Sequence, residues 1–87
     1  MEIDFTKEAT EHLNYLKKTN DQAILKKIRQ LLEVILENPY SGIGKPEALK
    51  YQYSGFWSRR INNEHRIVYQ VFEDKKIIQV YSLKGHY

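Results

Sequence analysis

The sequence predicts an α+β fold of order β-α-α-β-β-β, an antiparallel meander sheet with a helical hairpin packed on one face. Three observations carry that expectation. In the first half, apolar residues recur every three or four positions, the period of a helix. After Gly55 the period falls to two, the period of a strand. Between the halves lies "NPYSGIGKPEALK", which holds both prolines and two of the four glycines.

The elements follow in order. "EIDF" sets Ile3 and Phe5 on one face of a short first strand. Thr6 is placed to cap the first helix, with Glu8 in its first turn, where a helix favours negative charge. Phe5, Ala9, Leu13 and Leu16 supply its apolar stripe, and "KKTND" closes it. Asn20 or Asp21 caps the second helix, whose stripe is Ile24, Ile28, Leu31, Leu32 and Ile35. Pro39 stops it, because the residue before a proline avoids helical geometry. The central segment reads as a structured loop with one helical turn at "PEAL". "FWSRRI", "HRIVYQVFE" and "KIIQVYSL" then form three strands joined by the short turns "NNE" and "DKK".

Residues 1–87 are expected to form one domain, since 87 residues leave room for one modest core. A hydrophobic content of 41% and an aromatic content of 13% suit a folded globule rather than a disordered chain. There is no cysteine, which excludes disulfides, thiolate nucleophiles and cysteine-based zinc sites. His12, His65 and His86 lack metal-site spacing, so neither metal nor cofactor is expected. No stretch approaches the roughly 20 apolar residues that span a bilayer, and the first residues lack the pattern of a signal peptide. A cytoplasmic location fits. The net charge of +3 permits a nucleic-acid partner without demanding one.

The sheet face away from the helices carries the chemistry. With Asn62, Asn63 and Glu64 as the turn, and Asn in its left-handed position, Ile61 opposes His65 and Arg60 opposes Arg66. Like charges directly opposite are unfavourable in a sheet. An anion between them removes the objection, and guanidinium forks match phosphate oxygens. The competing reading has the arginines splayed into water or paired with Glu64 or Glu73. In the "PEAL" turn, Glu47 and Lys50 lie on one side, a carboxylate flanked by cations that can accept a proton. Gly85 lets the sequence bend, so that His86 folds over the sheet face as a proton donor and Tyr87 offers a ring for stacking on a base. A carboxylate base, an imidazole acid and two arginines are what metal-free cleavage of RNA requires.

The segments "PYSGIGKPEALK", "SGFWSRRINNEHRIVYQV" and the closing "HY" resemble the YoeB (Txe) branch of the RelE/ParE toxin superfamily. The resemblance covers nearly the whole chain. It implies a RelE-like fold similar to microbial ribonucleases. It implies the toxin of a type II toxin–antitoxin module that enters the ribosomal A site and cuts mRNA there without a metal. Matched onto this sequence, Glu47 is the general base, His86 the general acid and Arg66 the transition-state stabiliser. Arg60 and Lys50 bind the backbone, and Tyr87 positions the substrate. The implied partners are mRNA, the ribosome, an acidic antitoxin of YefM type and a second copy in a homodimer. The rival expectations are a non-catalytic ParE-like inhibitor, which acts on DNA gyrase, and a plain RNA- or ribosome-binding module.

Overall fold

The computed structural model describes residues 1–85; His86 and Tyr87 lie outside the described residues. The order is β1 (Glu2–Phe5), α1 (Lys7–Lys18), α2 (Gln22–Glu37), β2 (Glu47–Ala48), a 3₁₀ turn (Tyr51–Tyr53), β3 (Phe56–Arg60), β4 (Arg66–Phe72) and β5 (Ile77–Ser82). Both helix starts obey the capping expectation. Thr6 Oγ1 accepts from Ala9 N–H at 3.1 Å, and Asp21 Oδ1 accepts from Ile24 N–H at 3.2 Å. Asn20 takes the left-handed conformation at φ 58° that joins the two helices.

The five strands form one mixed sheet in the order β1-β5-β4-β3-β2. β3, β4 and β5 make the expected antiparallel meander, and β1 adds itself to β5 in parallel. Ile3 and Phe5 of β1 stand beside Ile78 and Val80 of β5, and Val80 is opposite Tyr69 of β4. Register partners share a face. This face receives Ala9 and Leu16 from α1 and Ile28, Leu31 and Ile35 from α2, all buried with Ile67, Tyr69, Ile78 and Val80 in one core. Burying each leucine or isoleucine of this set is worth about 1.5–3 kcal/mol, so the amphipathic stripes hold both helices on this side. The other face stays open.

Two expectations fail. "PEAL" is not a helical turn. Glu47 and Ala48 pair as β2 with Ser58 and Trp57, and Leu49 N–H donates to Phe56 O at 2.9 Å. The exposed edge of β3 offers backbone partners that one isolated helical turn does not have. The 3₁₀ turn comes later, at Tyr51–Tyr53. The β3–β4 turn also closes differently, although its length is as expected. The positive-φ residues other than glycine are Asn20, Lys45, Tyr51 and Lys76, so neither Asn62 nor Asn63 is left-handed. Instead Asn62 Oδ1 accepts from Glu64 N–H at 2.9 Å and His65 N–H at 2.7 Å. The side chain does what a left-handed backbone would otherwise do.

Candidate functional site on the open sheet face

Register assembles the site. Glu47 is the partner of Ser58 across β2–β3, and Arg60 is the partner of Arg66 across β3–β4. Positions 58 and 60 are two apart on one strand, so all four side chains leave the sheet on the open face. Arg66 Nη1 donates to Ser58 Oγ at 3.4 Å. Ser58, itself buried, therefore meets the Arg66 guanidinium directly and has the Glu47 carboxylate as its cross-strand neighbour. Glu47 and Arg60 are exposed and Arg66 is half-buried, an arrangement open to a large polymeric ligand.

The arginine pair stands where the turn count put it. Neither of the carboxylates suggested as its partners reaches it. Glu64 Oε1 lies 3.2 Å from His65 Nε2, and Glu73 Oε1 accepts from Tyr40 Oη–H at 3.1 Å. Among the described residues, no lysine or arginine lies within ion-pair distance of a carboxylate. Two cross-strand arginines that bond no carboxylate among the described residues suit a bound anion such as a phosphodiester.

Lys50 sits after β2, at the start of the 3₁₀ turn, and is exposed. It does not share a helical face with Glu47, as the "PEAL" reading required. Lys45 and Tyr51, at φ 51° and 58°, bracket β2 with left-handed backbone. Such residues cost on the order of 1–3 kcal/mol each and collect at functional sites. His86 and Tyr87, expected as acid and stacking ring, lie outside the described residues. The residue before them is firmly placed: Gly85 O accepts from Arg66 N–H at 2.9 Å, with Gly85 at φ 77°. No group of three His, Cys, Asp or Glu side chains among the described residues is placed to hold a metal ion.

Three features escaped the sequence reading. One is Ser58, which the two-residue period places on the face of Arg60. Another is a cavity of about 330 Å³ lined by Thr6, Glu8, Tyr53, Phe56, Val68 and Tyr81. The Phe56 and Tyr81 rings meet edge to face at 4.7 Å, and Tyr81 Oη–H bonds Gln70 and Gln79. Burial raises the Tyr81 phenol, so it remains a neutral donor. Flat aromatic walls beside a cationic row suit an unstacked base. The third is Arg59, buried on the opposite face, where it donates to Tyr69 Oη, Ile43 O, Asn38 O and Ser41 O. It fastens residues 38–43 to the sheet. A Cβ on Gly42 would meet Val34 Cγ1 at 2.8 Å and Arg59 Nη1 at 3.2 Å, which explains glycine at that φ of 118°.

Comparison with known proteins decides the family. The family model described as the YoeB-like toxin of bacterial type II toxin–antitoxin systems matches residues 5–87. The chain belongs to this family. It is similar to the toxin YoeB of Synechocystis sp., 45% identical over 87 residues, covering 100% of this chain and 98% of that protein. Two solved structures from Staphylococcus aureus are similar in fold and sequence. The YoeB dimer has a TM-score of 0.88 at 44% identity, covering 100% of this chain and 98% of that one. The heterotetrameric YoeB–YefM toxin–antitoxin complex has a TM-score of 0.86 at 45% identity, covering 98% and 95%. The YoeB-like toxins thus share the scaffold that sets Glu47, Ser58, Arg60 and Arg66 on one face here. No helix among the described residues is long and apolar enough to cross a membrane.

Proposed function

We propose that this toxin is an endoribonuclease that cuts mRNA in the ribosomal A site by metal-independent transphosphorylation, and so stops translation. The observation that carries the reading is the register of β2, β3 and β4, which brings an exposed carboxylate, Glu47, to the face that bears Arg60 and Arg66. Glu47 takes the proton from a ribose 2′-OH. The oxygen attacks the adjacent phosphorus in line, and the bond to the 5′-oxygen breaks. Arg66 stabilises the negative charge on the equatorial oxygens, and Arg60 with Lys50 holds the flanking phosphates. His86 protonates the departing 5′-oxygen, leaving a 2′,3′-cyclic phosphate. Tyr87 positions the substrate. The anchoring of Gly85 to Arg66 supports this role for His86, since the carbonyl carbon bonded to His86 lies at the arginine row.

The partners follow from the same face. A toxin acting on ribosomes works in the cytoplasm and must be held inactive there. A cationic, shallow surface suits an acidic, partly disordered antitoxin segment of YefM type that folds on binding and covers Arg60 and Arg66. A homodimer of the toxin accompanies this reading. The test is mRNA cleavage in a translating extract, with Glu47→Ala and His86→Ala beside the wild type. Each change lowers cleavage by about 10²–10⁴-fold while thermal melts stay unaltered. Near-normal cleavage by both variants would remove the acid–base mechanism. Translation arrest with intact mRNA would favour a ribosome-binding module, and inhibited DNA gyrase would favour a ParE-like action.

A further inference from the structure

Two of the three histidines play no part in the mechanism above, yet both touch the segment that leads to His86. His12 Nδ1, on α1, accepts from Leu83 N–H at 3.2 Å, with Ser82 Oγ at 3.4 Å from the same nitrogen. His65 Nδ1, at the start of β4, accepts from Gly85 N–H at 2.9 Å. Residues 82–85 are held at further points. Ser82 Oγ donates to Lys84 O at 3.1 Å, and Lys84 Nζ lies 4.2 Å from the centre of the Tyr15 ring. Leu83 is fully buried. Leu83, Lys84 and Gly85 follow the last paired residue of β5, Ser82, so the β4–β5 ladder alone does not fix them.

We propose that His65, assisted by His12, is a positioning residue for the proposed general acid: it holds Gly85, the residue that precedes His86, against the start of β4. The inference rests on the reading of His86 as that acid. Gly85 is gripped through both of its backbone groups, its N–H by the His65 ring and its C=O by Arg66 N–H. Gly85 is therefore fixed by two adjacent residues at the start of β4, His65 and Arg66, the second being the arginine of the proposed site. Nδ1 accepts from the backbone, so the proton of the neutral ring sits on Nε2, where it meets Glu64 Oε1 at 3.2 Å. Glu64 thereby orients the ring from behind. A buried imidazole, 7% exposed, used in this manner needs no contact with substrate.

The experiment compares His65→Asn with His65→Gln. Asparagine carries its oxygen as many bonds from Cα as Nδ1, and so replaces the acceptor. Glutamine reaches the position of Nε2 and keeps only the contact to Glu64. The Gln variant is expected to exchange its Gly85 amide faster while the amides of Ile67 and Val80 keep their protection. Its kcat for mRNA cleavage falls roughly tenfold with little change in KM, and the Asn variant restores both amide protection and kcat. Equal kcat in the two variants, or a Gly85 amide equally protected in both, would overturn the proposal. A general loss of protection in the Gln variant that Asn does not repair would also overturn it, in favour of a purely structural histidine. The amide measurement decides the clamp independently of any cleavage, so a failure of the nuclease reading is seen separately in the wild type.

Discussion

Arg59 and Arg60 are neighbours in the chain and face opposite sides of β3. Arg59 is fully buried and its guanidinium donates to four oxygens, Tyr69 Oη and three backbone carbonyls. Arg60 is exposed, and among the described residues its guanidinium meets no acceptor, while its backbone N–H donates to Gly44 O at 2.7 Å. The side chains are identical, and the two-residue period alone separates them. A buried guanidinium must be saturated by acceptors, because an unmet charge inside a protein is very costly. Each of its three nitrogens is then committed to structure, and the buried group is closed to a ligand. The open face reverses this logic: Arg60 and Arg66 repel each other, and the repulsion is relieved when an anion arrives. Fold and site are thus divided between the two faces of one sheet.

The strongest way to break the comparison is to delete one arginine from each face. Arg66→Ala is expected to lower mRNA cleavage by about 10²–10³-fold, the loss typical of a group that stabilises transition-state charge, with the thermal melt nearly unchanged. Arg59→Ala is expected to do the opposite. It removes about 3 kcal/mol of stability, because the carbonyls of Asn38, Ser41 and Ile43 lose their buried donor. Urea titration measures the second effect and a cleavage assay the first. If Arg59→Ala kept full stability, the division between the faces would be wrong.

Tyr69→Phe sharpens the buried side. Tyr69 Oη accepts from Arg59 Nε at 3.0 Å and donates to Pro39 O at 2.6 Å. Losing the hydroxyl should cost about 1–2 kcal/mol at neutral pH. Burial pushes the phenol above its ordinary value of 10.0, outweighing the Arg59 bond and charge, which pull it down. The folded state thus favours the protonated phenol. That contribution is complete below pH 10.0 and is lost as the pH climbs through the raised folded value. The wild type should therefore lose stability in this alkaline range more steeply than Tyr69→Phe. Denaturant midpoints taken across that range check the slope, and parallel curves would refute it.

Arg60→Ala should have the smallest effect. Stability changes by less than about 0.5 kcal/mol, as for most exposed sites. Binding of single-stranded RNA loses one phosphate contact, so the slope of log affinity against log salt flattens by roughly 0.7. An unaltered slope would remove Arg60 from the proposed substrate-binding residues.

The sequence by itself determined both helices, four of the five strands and the register of the arginine pair in the candidate site. Amphipathic period and capping residues are local properties, and Thr6, Asp21 and Pro39 mark helix boundaries where they were expected. The opposition of Arg60 and Arg66 was also legible, because a turn of residues 62–64 fixes the register on both sides of it. The burial of Arg59 could have been read too, since "FWSRRI" must send one of two adjacent arginines toward the helices. Its four acceptors could not, because they belong to loop and strand residues 10 to 21 positions away. Glu47 was expected beside Lys50 on a helical turn, and it stands instead on a short strand, on the face of Ser58 and Arg60. Two residues cannot hold a strand alone, and only the free edge of β3 made β2. The grip of His65 and His12 on Gly85 and Leu83 spans 20 and 71 positions. Such contacts obey no local period: they exist because packing the helices on the sheet brings α1 and the entrance of β4 against the segment that follows β5, and tertiary structure alone decides that.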